Sequence, residues 1–452
     1  MNGHGEPKRA FLIALETSGS AAGGWTAEES LDELDHLVRT AGAVAVGRDV
    51  QRRPKADPAT YIGRGKAEEL RELFRRGAFD MLVVDDELTP VQQRNLEAVI
   101  ESPIIDRTTV ILDIFAERAR TREAKLQVEL AQLKYRLSRM TGKGIELSRL
   151  AGGIGTRGPG ESKLEVDRRR IHDRMRALER ELSEVKVHRR RIRAERARRA
   201  LPVVALTGYT NAGKSTLHRV LSGSDVLVED RLFATLDATA RRVAPKDGEP
   251  YLLVDTVGFI RKLPTQLVAA FRSTLEEVAE ADLVLHVVDA SHPRHEEQME
   301  VVEQVLGEIG AQDKPTWIVY NKIDRLGGTP TGGDAPFESG RPSPKEQALP
   351  ASSHRPPVDW GPVLFPGRAG NSIAVSAALG WNIDALQHAI QAALARRREI
   401  VEAVIPFEQT AWVSWAHEQG WVLREEPRED GTYILVELEK SLAAKLRRAV
   451  QA

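Results

Sequence analysis

Apolar residues in this chain come in short runs closed by glycine or charge, and longer stretches at helical spacing separate them. Such alternation predicts parallel strands joined by helices. Phe11-Leu12-Ile13-Ala14-Leu15 and Val44-Ala45-Val46 read as strands around a helix from Ala27 to Thr40. A helix over Lys66–Arg76, a strand Met81-Leu82-Val83-Val84 and a helix after Pro90 follow. Proline suits that first turn because the N–H it lacks would have had no partner there. The order predicts a small α/β domain over residues 1–116 with a mostly parallel sheet. Asp85-Asp86-Glu87 at a strand end is expected to be a solvated loop, the alternative being an acidic site. Tyr61-Ile62-Gly63-Arg64-Gly65-Lys66 is expected to be a helix-start turn rather than a second nucleotide site.

From residue 117 the periodicity changes. Leu126, Leu130, Leu133, Leu137 and Met140 recur at spacings of four and three, as do Ile171, Met175, Leu178, Leu182 and Val185. Two such seams on either side of a glycine-rich break predict an antiparallel helical hairpin over 117–199. The second helix carries a dense arginine series, among them Arg168, Arg169, Arg170, Arg189, Arg190 and Arg191. Glu179, Glu181 and Glu184 offset part of it. That leaves two readings open, a solvated helix face and a phosphate-backbone contact. At the tip, Gly152-Gly153-Ile154-Gly155-Thr156-Arg157-Gly158-Pro159-Gly160 combines tight-turn glycines with a forked donor at Arg157. A functional loop is favoured there over a plain connector.

The strand-like run Val203-Val204-Ala205-Leu206 leads into Gly208-Tyr209-Thr210-Asn211-Ala212-Gly213-Lys214-Ser215, which fits G-x-x-x-x-G-K-[ST]. Small residues let backbone N–H groups turn inward around phosphate oxygens, while Lys214 reaches the terminal phosphates and the Ser215 hydroxyl can ligate Mg²⁺. Phe233-Ala234-Thr235-Leu236-Asp237 is the expected γ-phosphate sensor, with the Thr235 hydroxyl completing the metal shell. Thr239 is a nearby competitor for that role. Asp255-Thr256-Val257-Gly258 closes the run Tyr251-Leu252-Leu253-Val254. There Asp255 can hold Mg²⁺ through water and the Gly258 N–H can meet the γ-phosphate. Lys214, Thr235 and Gly258 are therefore the expected catalytic group.

Asn321-Lys322-Ile323-Asp324 supplies the base signal. The Asp324 carboxylate accepts two hydrogen bonds, which guanine offers through its N1–H and amine and adenine does not. Ser376-Ala377-Ala378 would add backbone donors to the guanine oxygen. Four motifs in order, each at a strand end, predict a GTP/GDP site with Mg²⁺. Switch GTPases often place a water-orienting glutamine just after the D-x-x-G glycine; here Phe259-Ile260 stand there. Slow, partner-stimulated hydrolysis is expected.

The nucleotide domain is expected over 200–398, interrupted by a Gly/Pro/Ser-rich insertion at 327–370 whose composition favours disorder. Residues 399–452 read as a small α+β domain: strand Val401–Ile405, helix Glu408–Glu418, strands Trp421–Glu425 and Tyr433–Glu437, helix Ser441–Val450. Trp412, Trp415 and Trp421 are expected in its core.

Composition narrows little. Net charge is −1 over 452 residues, so nucleic-acid affinity has to come from local patches. The lack of cysteine excludes disulfides and thiolate chemistry. No apolar run approaches the roughly 20 residues of a membrane span. A cytoplasmic monomer is the expectation, with peripheral membrane association left open.

The glycine loop followed by Glu161, Leu164, Glu165, Asp167, Arg168 and Arg169, with the 208–216, 233–237, 255–260 and 321–324 motifs, resembles the HflX family of translation-associated GTPases. The resemblance spans almost the whole chain, and the glycine loop is its specific mark. It implies an N-terminal domain ending in the hairpin, a P-loop GTPase domain with helices on both sheet faces, and a small C-terminal domain. It further implies binding to the large ribosomal subunit, with the hairpin tip reaching the peptidyl-transferase region, and ribosome splitting or rescue under stress. Family members carry an apolar residue at the Phe259 position. The 327–370 insertion departs from the pattern, and no phosphate loop is recognisable in the N-terminal domain for a second nucleotide. The competing reading is a GTPase switch whose hairpin docks a protein effector without RNA contact. A phosphotransferase using ATP is disfavoured by Asp324.

Overall fold

The computed structural model describes residues 7–17, 25–140, 163–198, 201–223, 232–236, 239–245, 248–264, 275, 277–326, 371–395 and 398–451. The glycine-rich tip with Arg157, Asp237 and the 327–370 insertion lie outside the described residues.

Strands β1 (Arg9–Thr17), β2 (Val44–Arg53), β3 (Met81–Val84) and β4 (Ile104–Asp106) form a parallel sheet in the order β2-β1-β3-β4. All four β3 residues are buried, as expected of a parallel strand covered on both faces. Helix α1 (Ala27–Thr40) starts at a capping box in which Thr26 accepts from the Glu29 N–H and Glu29 accepts from the Thr26 N–H. Its Leu31, Leu34, Leu37 and Val38 line the buried stripe. Helix α2 (Arg64–Arg75) follows Gly63, and Thr89 and Gln92 repeat the device around Pro90 for helix α3 (Pro90–Ile100). Strand β4 and helix α4 (Arg107–Arg118) after it are not among the sequence expectations; three residues are too few for the strand to show a periodicity.

The sheet order reverses direction between β1 and β3, the kind of crevice where α/β sheets collect functional groups. Asp85 stands at that end, and the solvated-loop expectation fails for it. Asp85 is 1% exposed, held by the guanidinium of Arg107 at 2.8 Å and by the Lys262 ammonium.

The hairpin seam is present. Helix α5 (Arg122–Arg139) and the helix Lys163–Arg198 pack Leu126, Leu130 and Leu133 against Met175, Leu178 and Leu182. Leu178 is fully buried, so its truncation to alanine costs about 2–5 kcal/mol. Arg122–Glu181 at 3.1 Å and Arg174–Glu129 at 2.7 Å mark the antiparallel register. Exposed pairs of this kind contribute at most about 1 kcal/mol each, so the leucines hold the hairpin together and the charges select its alignment.

A second sheet runs β10-β9-β8-β5-β7-β6, with β5 (Val203–Gly208), β7 (Tyr251–Asp255), β8 (Leu283–Asp289), β9 (Thr316–Asn321) and β10 (Ser372–Ala374) parallel. Strand β6 (Thr239–Val243) pairs antiparallel at the edge. The nucleotide motifs therefore sit together at one end of this sheet, beyond the carboxyl ends of β5, β7, β9 and β10. Strands β11 (Arg398–Ile405), β12 (Trp421–Arg428) and β13 (Gly431–Glu439) make an antiparallel sheet packed by the helices Ala411–Gln419 and Lys440–Gln451. Trp412 and Trp415 pack against that core, but Trp421 is 61% exposed, correcting the core expectation. It sits opposite Glu437, whose neighbours Val436 and Leu438 point to the helices, so alternation turns Trp421 to the other face.

Candidate functional site

Strand β5 ends at Gly208, and the chain curls through Asn211 and Gly213, both at positive φ, into the helix Lys214–Ser222. A Cβ at Gly213 would lie 2.2 Å from the Asn321 amide nitrogen, so glycine is required there. No side chain caps this helix, which leaves its N-terminal N–H groups open toward an anion. Lys214 is buried beneath the loop, its ammonium donating to the carbonyls of Gly208 (3.0 Å) and Tyr209 (2.8 Å). Burial pushes its pKa down to about 8, with Asp255 opposing the shift and Lys322 adding to it. A cation held this way gains from an arriving phosphate.

Beside it, Ser215, Thr235 and Asp255 converge from three elements. Ser215 Oγ lies 2.8 Å from Thr235 Oγ1 and 2.9 Å from Asp255 Oδ2. The other Asp255 oxygen is buried with no hydrogen-bond partner among the described residues. An all-oxygen set with an unsatisfied buried carboxylate oxygen fits a hard divalent cation such as Mg²⁺. Gly258 lies against this pocket: a Cβ there would come 3.0 Å from the Lys214 ammonium and 2.9 Å from the Thr210 methyl carbon.

At the far end, Asn321 binds two motifs together. Its amide donates to the Ala212 carbonyl at 2.9 Å and its oxygen accepts from the Ala377 N–H at 3.0 Å. Lys322 is anchored on Asp289 at 2.7 Å. Ser376 donates its hydroxyl to Asp324 at 2.6 Å, aligning that carboxylate from behind rather than facing the ligand itself. A cavity of about 270 Å³ runs from Lys214, Ser215, Thr235 and Gly258 to Asn321, Lys322, Asp324, Ala377 and Ala378. Thr210, Asn211, Gly213, Phe233, Ala234 and Thr256 also line it. Gly208, Tyr209, Ala212, Leu236, Asp255, Val257, Ile323 and Ser376 support it from outside the lining, and most of them are buried. Arg325 and Thr216 line it too, and the motifs did not single them out.

Known proteins match along the whole length of the chain. Residues 28–116 fit the model described as GTP-binding GTPase N-terminal, and residues 118–196 fit GTP-binding GTPase Middle Region. Residues 203–322 fit 50S ribosome-binding GTPase and residues 366–451 fit the HflX C-terminal domain. The GTPase HflX of Caldanaerobacter subterraneus subsp. tengcongensis is 44% identical over 445 residues, covering 98% of this chain and 94% of that protein. The chain belongs to the HflX family of GTPases. The HflX of Lacrimispora saccharolytica is 43% identical over 97% of this chain and 95% of its own. A GTP-binding protein from the archaeon Sulfolobus solfataricus in complex with GDP is similar over 86% of this chain and 99% of that one, at 22% identity and TM-score 0.43. The α/β architecture, GTP binding and GTP hydrolysis thus stand as properties of this HflX-family chain. No helix among the described residues is long and apolar enough to cross a membrane.

Two features of this HflX-family site were not legible from the motifs. Phe259 is not turned toward the cavity: it is 1% exposed, and its backbone is zipped to the phosphate loop. The Thr210 N–H donates to the Phe259 carbonyl at 2.7 Å and the Phe259 N–H donates to the Gly208 carbonyl at 3.1 Å. The second feature is a seam with the N-terminal sheet. The Tyr209 hydroxyl donates to Glu33 and accepts from the Arg261 N–H at 2.8 Å. Phe233 packs edge-on against Phe115 at 4.6 Å between ring centroids. Arg261 lies over the Trp25 ring at 4.9 Å, and Arg294 binds Glu29 at 3.0 Å. Phe115, Tyr209, Phe233, Val257 and Phe259 share one continuous core.

Proposed function

We propose that this chain is a GTP-driven factor that associates with the large ribosomal subunit and splits or rescues stalled ribosomes under stress. The observation that carries the reading is the seam: segments on both sides of the γ-phosphate position pack on the unit from which the basic hairpin projects. In this reading Lys214 leaves the Gly208 and Tyr209 carbonyls for the β- and γ-phosphates, and the Gly258 N–H meets the γ-phosphate. Ser215 and Thr235 would hold Mg²⁺, with Asp255 assisting through water. When bound there, Mg²⁺ neutralises charge on the phosphate oxygens. Asp324, aligned by Ser376, reads guanine, with Asn321, Lys322, Ala377 and Ala378 completing the base pocket. In this reading the chain divides near residues 116, 199 and 398, and the hairpin tip, Gly152–Gly160 with Arg157, makes the ribosome contact. Hydrolysis is slow until a partner reorganises the switches, because no glutamine stands after Gly258.

Co-sedimentation of the full chain with large subunits in GTP, GDP and a non-hydrolysable analogue tests the proposal. Binding that is retained with the analogue and weak with GDP is expected; equal binding in both sinks it. The interhelical pairs Arg122–Glu181 and Arg174–Glu129 spend some of the hairpin charge internally, which favours a second reading, an effector-docking coiled coil. Steep loss of RNA binding with rising salt separates the first reading from the second.

A further inference from the structure

Asp106 and Arg107 are consecutive buried residues where β4 meets the helix Arg107–Arg118, and they bind different sets of partners. Arg107 faces the nucleotide unit. Its guanidinium binds Glu33 and Asp85 and donates to the carbonyl of Arg261 at 3.2 Å, three residues past Gly258. Glu33 in turn accepts from Tyr209 of the phosphate loop. Asp106 faces the hairpin: it accepts from the Tyr135 hydroxyl and the Arg139 guanidinium, both on α5. It also caps its own helix at the Thr109 N–H (3.0 Å) and accepts from the Leu88 N–H (3.2 Å). The same helix carries Phe115, which meets Phe233 two residues before Thr235. Eight residues of helix place Phe115 about 12 Å along the axis from Arg107, so the two switch segments grip two ends of one rigid rod. That rod leads through residues 119–121 directly into α5.

We propose that Asp106 and Arg107 are the joint through which the nucleotide positions the helical hairpin. Buried charges with fixed partners rearrange between discrete arrangements rather than stretching, so a displacement of the Arg261 carbonyl or of Phe233 reaches α5 as a tilt of the Arg107–Arg118 helix. Asp106 and Arg107 are positioning residues and are not among the residues that line the cavity. The inference rests on the reading that GTP orders Thr235 and Gly258, and it does not depend on what the hairpin binds.

The chain has no cysteine, so Arg176→Cys on the hairpin and Glu308→Cys on the nucleotide unit give a clean pair of spin-label sites. The distance distribution in the full chain is compared with GDP and with a non-hydrolysable GTP analogue. A nucleotide-dependent shift is expected in the parent. Arg107→Gln and Asp106→Asn should lose it while analogue affinity stays within about threefold. Arg107→Lys, which keeps the charge without the fork, should retain part of the shift. Tyr135→Phe removes one hydroxyl with little loss of packing and should reduce the shift even if the buried-charge variants fold poorly. A shift that survives in Tyr135→Phe and in the folded charge variants overturns the proposal, as does a parent chain with no shift. GTP-dependent subunit binding without any shift would sink the joint alone, whereas an intact shift without subunit binding would sink the ribosome reading alone.

Discussion

Thr235 Oγ1 donates to Asp255 Oδ2 at 2.7 Å, across the pocket that Ser215 closes from below. In the proposed reading this pairs the threonine that senses the γ-phosphate with the carboxylate that would hold Mg²⁺ through water. On that reading Ser215→Ala would take away a Mg²⁺ ligand in both nucleotide states. A hydrogen bond or ligand contact to a charged group is worth about 1.5–3 kcal/mol, so Mg²⁺-dependent affinity should fall roughly 10- to 100-fold for GTP and GDP alike. Thr235→Ala should spare GDP and reduce single-turnover hydrolysis. Mg²⁺ titrations of nucleotide binding with both nucleotides check this; a Thr235→Ala variant that loses GDP affinity would contradict it.

Asp324→Asn exchanges one of two acceptor oxygens for a donor, opposite guanine groups that are themselves donors. Ser376 still orients the side chain, so the change is chemical rather than steric. GTP affinity should drop by about 100-fold or more, and xanthosine triphosphate, which carries an acceptor in place of the amine, should gain in relative terms. Competition between the two nucleotides measures the inversion.

Lys214 makes nucleotide affinity sensitive to alkaline pH. Burial lowers its pKa from 10.5 to about 8, whereas bound phosphates would favour the charged form and raise it again. Below pH 8 the ammonium is already present and affinity is at its full value. Above pH 8 binding must take up a proton, so affinity should fall about tenfold between pH 7 and pH 9. Isothermal titration in buffers of different ionisation enthalpy would detect the proton uptake at pH 9, and its absence would refute the assignment.

Placing a glutamine at position 259 should not speed hydrolysis. Phe259 is buried and its backbone is paired on both sides with Gly208 and Thr210. Phe259→Gln puts an amide into an apolar core, at a cost of about 1–3 kcal/mol if unsatisfied. Single-turnover rates should stay at or below those of the parent, with a lowered unfolding midpoint. A faster enzyme would mean that the side chain can swing into the cavity.

The sequence made the phosphate and base motifs legible because each is local: strand, turn and helix start lie within a dozen residues, and the positive φ at Gly213 belongs to that turn, though the close approach of Asn321 does not. The helix Ala27–Thr40 was legible down to its ends for the same reason, its capping box being written in Thr26 and Glu29. The hairpin seam followed from the spacing of Leu126, Leu130 and Leu178. What escaped depends on distant partners. Asp85 read as solvated because its partners, Arg107 and Lys262, lie 22 and 177 residues away. Trp421 read as core because residue type says nothing of which sheet face a strand presents. Tyr209 was read only as part of a cradle, since nothing local tells that its hydroxyl leaves the loop to meet Glu33.

Tyr209 also sets a limit on how small a working version of this molecule can be. A fragment beginning at Val203 inherits every nucleotide motif, yet it leaves the Tyr209 ring, the Phe233 ring and the Lys262 ammonium facing water where Glu33, Phe115 and Asp85 once met them. Exposed aromatic surface of that kind invites self-association. The sensible place to shorten this chain is therefore beyond Arg398, where a separate sheet begins with its own core.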